Sequence, residues 1–221
     1  MRTAAILPVK RFSAAKQRLG AVVEQELHDA LVQTMLADVL EALAATAAIE
    51  LTIIVSSQPQ QPDWNAPRVM VVEDHLEQGQ SAAASLGIRR AVEEGFERVL
   101  CVPGDCPALA PDELQWLLDD PRAEGSQVAI VPDRHGTGTN GLLLAPPDAI
   151  EPSFGPGSFE RHRELVLACG AALRVERPPS LLLDIDTDGD LQALRRRLAD
   201  SAGGAPRTRA LLAEPATAGG A

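Results

Sequence analysis

Short apolar runs and helical patterns take turns along the chain, and this alternation limits the fold more than any other feature. AAILPV (4–9), LTIIVSS (51–57), RVMVVED (68–74) and RVLCVPGD (98–105) read as strands. Between them, residues 23–45 carry Leu27, Leu31, Met35, Leu36, Val39, Leu40 and Leu43 at helical spacing. QSAAASLGIRRAVEEG (80–95) reads as a second helix with Gly95 at its stop. A short helix with proline at its start follows over 111–119. QVAIVPD (127–133) and TNGLLLA (139–145) are strands close enough to pair. SFERHRELVLACGA (158–171) is helical, AALRVE and LLLDID are strands, and residues 187–200 form the last helix. Such alternation gives an α/β fold, a mostly parallel sheet covered on both faces. Residues 1–200 are read as one domain. The Ala-, Gly- and Pro-rich residues 201–221 are read as a disordered tail.

In sheets of this kind ligands bind beyond the carboxyl ends of the strands. Four polar segments fall there: VKRFSAAKQR after the first strand, EDHLEQGQ after the third, GDCPAL after the fourth and DIDTDGD after the last. That edge is the expected site.

The first of these segments holds Lys10, Arg11, Lys16 and Arg18 in a chain of formal net charge −11, and its two lysines are the only ones in the sequence. Ammonium groups are mobile point charges suited to phosphates; a solvated loop is the plain alternative. Asp105, just past VLCVPG, suits a divalent cation, since Mg²⁺ takes one or two carboxylates and completes its shell with phosphate oxygens and water. A turn-capping role is equally compatible. Asp184 and Asp186 interrupt an apolar run and are spaced to share one face of a strand. Thr187 with Asp190 resembles a capping box, so Asp188 and Asp190 are assigned to the helix start. Ser158 reads as the N-cap of its helix, where free N–H groups can hold a phosphate or carboxylate.

Other chemistries find little support. GTGTNG (136–141) has glycines at dinucleotide-motif spacing, yet the prolines after LLLA preclude the required helix. No P-loop or G-x-S-x-G is present, and the four histidines are scattered. An acidic chain lacks the basic stripe of a nucleic-acid binder. The absence of an 18-residue apolar run excludes a membrane span of the usual kind. With no leader-like start, the cytoplasm is the expected compartment. Cys101, Cys106 and Cys169 are expected as free thiols.

Taken in order, Pro8-Val9-Lys10, Ala15-Lys16, Arg18-Leu19, GDCPAL, PDRHGTGTN, FGPGSFERH and DIDTDGDL resemble the guanylyltransferases of deazaflavin coenzyme F-420 biosynthesis, from about residue 3 to 200. The resemblance implies a GT-A-like (Rossmann-like) nucleotidyltransferase fold, with GTP as donor and a small phosphorylated three-carbon acid as acceptor. Phosphoenolpyruvate is favoured over 2-phospho-L-lactate or 3-phosphoglycerate. It implies that Thr139, Gly155 and Ser158 bind the acid and that Asp105 and Asp184 hold Mg²⁺. Lys10, Lys16 and Arg18 would hold the triphosphate, making them catalytic with Asp105. Two departures stand out: Asp188-Gly189 replaces the usual Pro-x pair, and Gln80-Ser81 stands where a Leu-Asn pair is usual. A homodimer is compatible with the sequence. The competing readings are a nucleotidyltransferase with another substrate, a metal-dependent phosphatase, and a catalytically silent nucleotide-binding module.

Overall fold

The computed structural model describes residues 1–9, 25–58, 64–119, 127–200 and 204–213. Seven strands form one sheet: β1 (Thr3–Val9), β2 (Leu51–Ser56), β3 (Val69–Glu73), β4 (Arg98–Cys101), β5 (Gln127–Pro132), β6 (Thr139–Ala145) and β7 (Ala172–Val175). Their spatial order is β3-β2-β1-β4-β6-β5-β7. The pairs β1–β2, β2–β3, β1–β4 and β5–β7 are parallel, whereas β6 runs antiparallel to both β4 and β5. The short turn from β5 to β6 dictates this reversal: the Thr137 N–H donates to Asp133 Oδ1 at 2.9 Å and closes it. The amino end of β6 therefore lies on the same edge as the carboxyl ends of the other strands.

Both faces of the sheet are covered, which explains why β1 is almost wholly apolar. Ala5 and Leu7 point into one core with Leu36, Val39 and Leu43 of α1 (Gln25–Ala45) and Leu114 and Leu117 of α3 (Pro111–Leu118). Ala4 and Ile6 point into the other, with Ala84, Ile88 and Ala91 of α2 (Gln80–Glu93) and Val166 of α4 (Ser158–Cys169). Contact on that second face is close. A Cβ at Gly87 of α2 would sit 2.5 Å from Ile6 Cγ2, so only glycine lets the helix reach the sheet at this height. Gly95, at φ +75°, ends α2 as expected, its N–H bonded to Val92 O.

A third cluster joins Leu31 and Met35 of α1 to Leu183, Ile185, and Leu191, Leu194 and Leu198 of α5 (Asp188–Asp200). Two expectations are corrected here. LLLDID is not a strand, although it keeps a strand-like alternation: Leu181, Leu183 and Ile185 are buried while Asp184 and Asp186 are not. Leu181 packs against the sheet and Leu183 and Ile185 between α1 and α5, and no strand among the described residues pairs with the segment. The expected disordered tail contains a helix, α6 (Pro206–Ala213), which packs against α1. Its first turn is fixed by Asp38 of α1, whose carboxylate accepts from Arg207 N at 3.1 Å and Thr208 N at 2.8 Å. No helix among the described residues is long and apolar enough to cross a membrane.

Candidate active site

The first two residues of β6 organise the site. β5 and β6 lose register between Val131, opposite Gly141, and Pro132, opposite Thr139, so Asn140 is the extra residue of a β-bulge. Leu142 and Leu144 face α2 and α4, and Leu143 faces α1 and α3. Regular alternation would then turn Thr139 towards α1 and Asn140 towards α4. The bulge inverts both. Thr139 reaches α4, and Asn140 reaches the loop after β7.

On the α4 side, Thr139 Oγ1 lies 3.0 Å from His162 Nδ1 and accepts from Ser158 Oγ at 3.2 Å. All three side chains are buried, Thr139 at 8 % and Ser158 at 1 % exposure. The other ring nitrogen, His162 Nε2, accepts from the Ser153 N–H at 2.8 Å. Burial, aided by the Arg161 charge, lowers the His162 pKa to about 4, so the ring is neutral. Phe154 meets the ring edge-on at 5.2 Å.

The loop over these groups is tied from both ends. Arg161 donates through Nε to Ser153 Oγ at 2.9 Å and through Nη2 to the carbonyls of Ser153 and Phe154. The Phe154 N–H donates to Ser81 Oγ at 2.8 Å, joining the loop to the first turn of α2. Gly155 at φ +106° and Gly157 at φ +73° make the turn, and both conformations favour glycine. The N-cap of α4 is Gly157, not Ser158. Ser158 is instead the first helical residue, and its hydroxyl goes to Thr139.

On the other side of β6, Asn140 Nδ2 donates to Asp184 Oδ1 at 3.2 Å. The Ile185 N–H donates to Asp105 O at 3.1 Å and draws the segment after β7 against the loop after β4. Two half-buried carboxylates thus share one neighbourhood. Burial and then the Asp105 charge raise the Asp184 pKa to about 6, against the Asn140 hydrogen bond. A pair of hard oxygen donors held in mutual repulsion is the donor set a small divalent cation relieves. No cluster of three or more His, Cys, Asp or Glu suited to a metal occurs among the described residues. That is compatible with Mg²⁺, which draws its other ligands from substrate and water.

Of the remaining acids, Asp186 is exposed. Asp190 is buried and forms the expected capping box: it accepts from Thr187 N at 2.7 Å, and its own N–H donates to Thr187 Oγ1 at 3.3 Å. Arg134, on the β5–β6 turn, pairs with Asp190 at 2.6 Å and docks that turn on α5. Lys10, Lys16 and Arg18 lie outside the described residues. Among those described, Thr139, Gly155 and Ser158 come together, as do Asp105 and Asp184. Asn140 and Ser153 carry no role in the sequence reading, and His162 and Arg161 are legible there only as residues of the first turn of α4. The available signals were an asparagine at the head of an otherwise apolar strand and a histidine four residues after Ser158.

A family described as CofC-like guanylyl transferases matches residues 3–196. Among relatives, a phosphoenolpyruvate guanylyltransferase of Conexibacter woesei is 44% identical over 218 residues, covering 96% of each chain. Another of that name, from Sphaerobacter thermophilus, is 38% identical, covering 88% of this chain and 93% of its own. In structure the chain is similar to a putative nucleotide-diphospho-sugar transferase from Desulfovibrio desulfuricans, with TM-score 0.73 and 22% identity over 96% of this chain and 94% of that one. A Methanothermobacter nucleotidyl transferase gives TM-score 0.62 at 20% identity over 90% of this chain and 98% of its own. At such identities these structures establish the fold alone: that of the nucleotidyltransferases. The chain belongs to the CofC-like guanylyl transferase family and is a nucleotidyltransferase.

Proposed function

We propose that this member of the family transfers GMP from GTP to the phosphate of phosphoenolpyruvate, releasing pyrophosphate, in the biosynthesis of coenzyme F-420. One observation carries the reading: the bulge at Thr139-Asn140 sets a neutral hydroxyl pair and an acidic pair on opposite sides of one strand end, at the edge formed by the carboxyl ends of the other strands. A phosphorylated acid has two anionic ends and needs two unlike environments. The names of the relatives supply the substrate.

A phosphate oxygen of the acceptor attacks the α-phosphorus of GTP. The new P–O bond forms as the bond from the α-phosphorus to the bridging oxygen breaks, and its electrons leave with pyrophosphate. This nucleophile is ionised at neutral pH, so no general base is required. The site accords with that, because His162, the histidine that contacts Thr139 among the described residues, has both ring nitrogens engaged. Catalysis is then positioning and charge neutralisation. Asp105 and Asp184 would hold Mg²⁺, whose contribution is to neutralise phosphate charge. Thr139, Ser158 and the Gly155 turn would hold the acid, and Lys10, Lys16 and Arg18 the triphosphate, with residues 1–200 as one catalytic domain. The same proposal takes the cytoplasm as the compartment of the reaction.

The test is pyrophosphate release with GTP and Mg²⁺, run with phosphoenolpyruvate, 2-phospho-L-lactate, 3-phosphoglycerate and no acceptor. Release with phosphoenolpyruvate alone supports the reading. Release with another of the acids reassigns the acceptor. GTP binding without release under any condition points to a silent module.

A further inference from the structure

We propose that His162 is a positioning residue: by donating from Nδ1 to Thr139 Oγ1 it forces the Thr139–Ser158 hydroxyl pair to present one spare hydrogen to the acceptor's anionic group. The inference rests on the pocket being the acid site, as proposed above.

A count of hydrogens requires this donation from Nδ1. A backbone N–H can only donate, so the 2.8 Å contact from Ser153 N makes His162 Nε2 the acceptor and leaves it unprotonated. A neutral imidazole carries its single hydrogen on the other nitrogen, here Nδ1. The ring is neutral because it is fully buried beside Arg161, whose guanidinium is spent on the carbonyls and hydroxyl of the same loop. Nδ1 therefore donates across the 3.0 Å contact to Thr139 Oγ1.

The two hydroxyls then have two hydrogens between them. Their mutual 3.2 Å contact uses one. The second has no role in the network, whichever hydroxyl donates to the other. With Ser158 donating, it belongs to Thr139, which is the more accessible of the pair. In the opposite ring tautomer Thr139 would donate inward to Nδ1 and Ser158 to Thr139, and no hydrogen would remain. The tautomer thus decides whether the pocket attracts an anion by hydrogen bonding. Ser153 fixes that tautomer through its backbone, and Arg161 fixes Ser153.

Two amide variants separate the two ring nitrogens. In His162→Asn the side-chain NH₂ replaces the Nδ1 donor. In His162→Gln the side-chain oxygen can replace the Nε2 acceptor, and the donor to Thr139 is lost. The account expects His162→Gln to raise the phosphoenolpyruvate KM, and its Kd by calorimetric titration, at least tenfold, with the GTP KM within twofold of wild type. His162→Asn should stay within threefold of wild type for phosphoenolpyruvate. Equal losses in the two variants, or parallel losses for GTP, would make His162 a purely structural residue and overturn the proposal. Long-range ¹H–¹⁵N NMR of the wild-type ring provides a readout independent of turnover. A protonated Nδ1 and bare Nε2 at pH 7 are expected, and the reverse tautomer refutes the hydrogen count. Absence of turnover with phosphoenolpyruvate while the tautomer and titration results hold would count against the proposed reaction and not against His162.

Discussion

The two sides of the β6 bulge are built on opposite principles. Around Thr139, Ser158 and His162 the polar atoms are neutral, buried and paired in a directed chain. Around Asp105 and Asp184 two acids are held close enough that one raises the pKa of the other. The first arrangement engages both ring nitrogens and leaves one hydroxyl hydrogen over, which in the proposed function recognises the acid by geometry. The second stores repulsion that a cation would discharge; in the proposed reaction it serves the chemistry, and with no cation it detracts from stability. Under the proposed function, a single extra residue in a strand divides recognition from catalysis. Substitutions on the two sides should consequently fail in different ways.

The largest effect is expected on the acidic side. Asp105→Asn should cost about 3–4 kcal/mol of transition-state stabilisation, the scale of one lost preorganised electrostatic contact. Steady-state kcat would show it as a fall of two to three orders of magnitude. The same change relieves repulsion, so the melting temperature should match or exceed that of wild type. A clear drop in melting temperature would break the comparison.

The hydroxyl side should instead reveal itself through pH and stability. His162 titrates near 6.5 when unfolded and near 4 when folded. Between these values the unfolded chain binds a proton that the folded chain does not. Its contribution is therefore fully present above pH 6.5 and is lost as pH falls towards 4. The swing is about 3 kcal/mol. Urea midpoints of wild type and His162→Gln across this range should differ in slope, with the variant flatter. Parallel curves would show that the ring is not held neutral.

Smaller again is Thr139→Val, which keeps the shape but leaves His162 Nδ1 without its acceptor. A stability loss of about 1–3 kcal/mol is expected in denaturant titrations. The phosphoenolpyruvate KM should rise and the GTP KM hold. Smallest is Asp38→Ala, which removes the cap of α6 and should cost about 1 kcal/mol, typical of a lost N-cap. Since α6 contributes Leu211 and Leu212 to the cluster containing Leu183 and Ile185, thermal unfolding should register the loss more than substrate KM does.

The features legible in the sequence were those that depend on periodicity. Buried runs gave the strands, i to i+3/i+4 spacing gave the helices, and the Thr187–Asp190 box was readable because capping is local. LLLDID shows where periodicity stops: alternation reports which side chains are buried, and says nothing about whether a neighbouring strand is there to pair with. The bulge was not legible, because it is a property of the register between two strands, and from alternation alone Thr139 and Asn140 face the wrong ways. His162, readable only as a residue of the first helical turn, had no assigned role for a related reason. Its partners, Thr139 and Ser153, come from a strand and a loop, and only the folded chain unites them. The α6 helix was hidden by composition, since PRTRALLA sits among alanines and glycines and its cap, Asp38, is 168 residues away from Pro206 by the numbering.

The catalytic and binding roles proposed above rest on guanylyl transfer to a phosphorylated acid. Time-resolved ³¹P NMR of the enzyme with GTP, Mg²⁺ and phosphoenolpyruvate tests it most directly. The expected result is loss of the phosphoenolpyruvate singlet, a new pair of coupled phosphoanhydride doublets, and pyrophosphate in equal amount. Orthophosphate in place of pyrophosphate, or a phosphoenolpyruvate signal that persists while GTP is consumed, would contradict it.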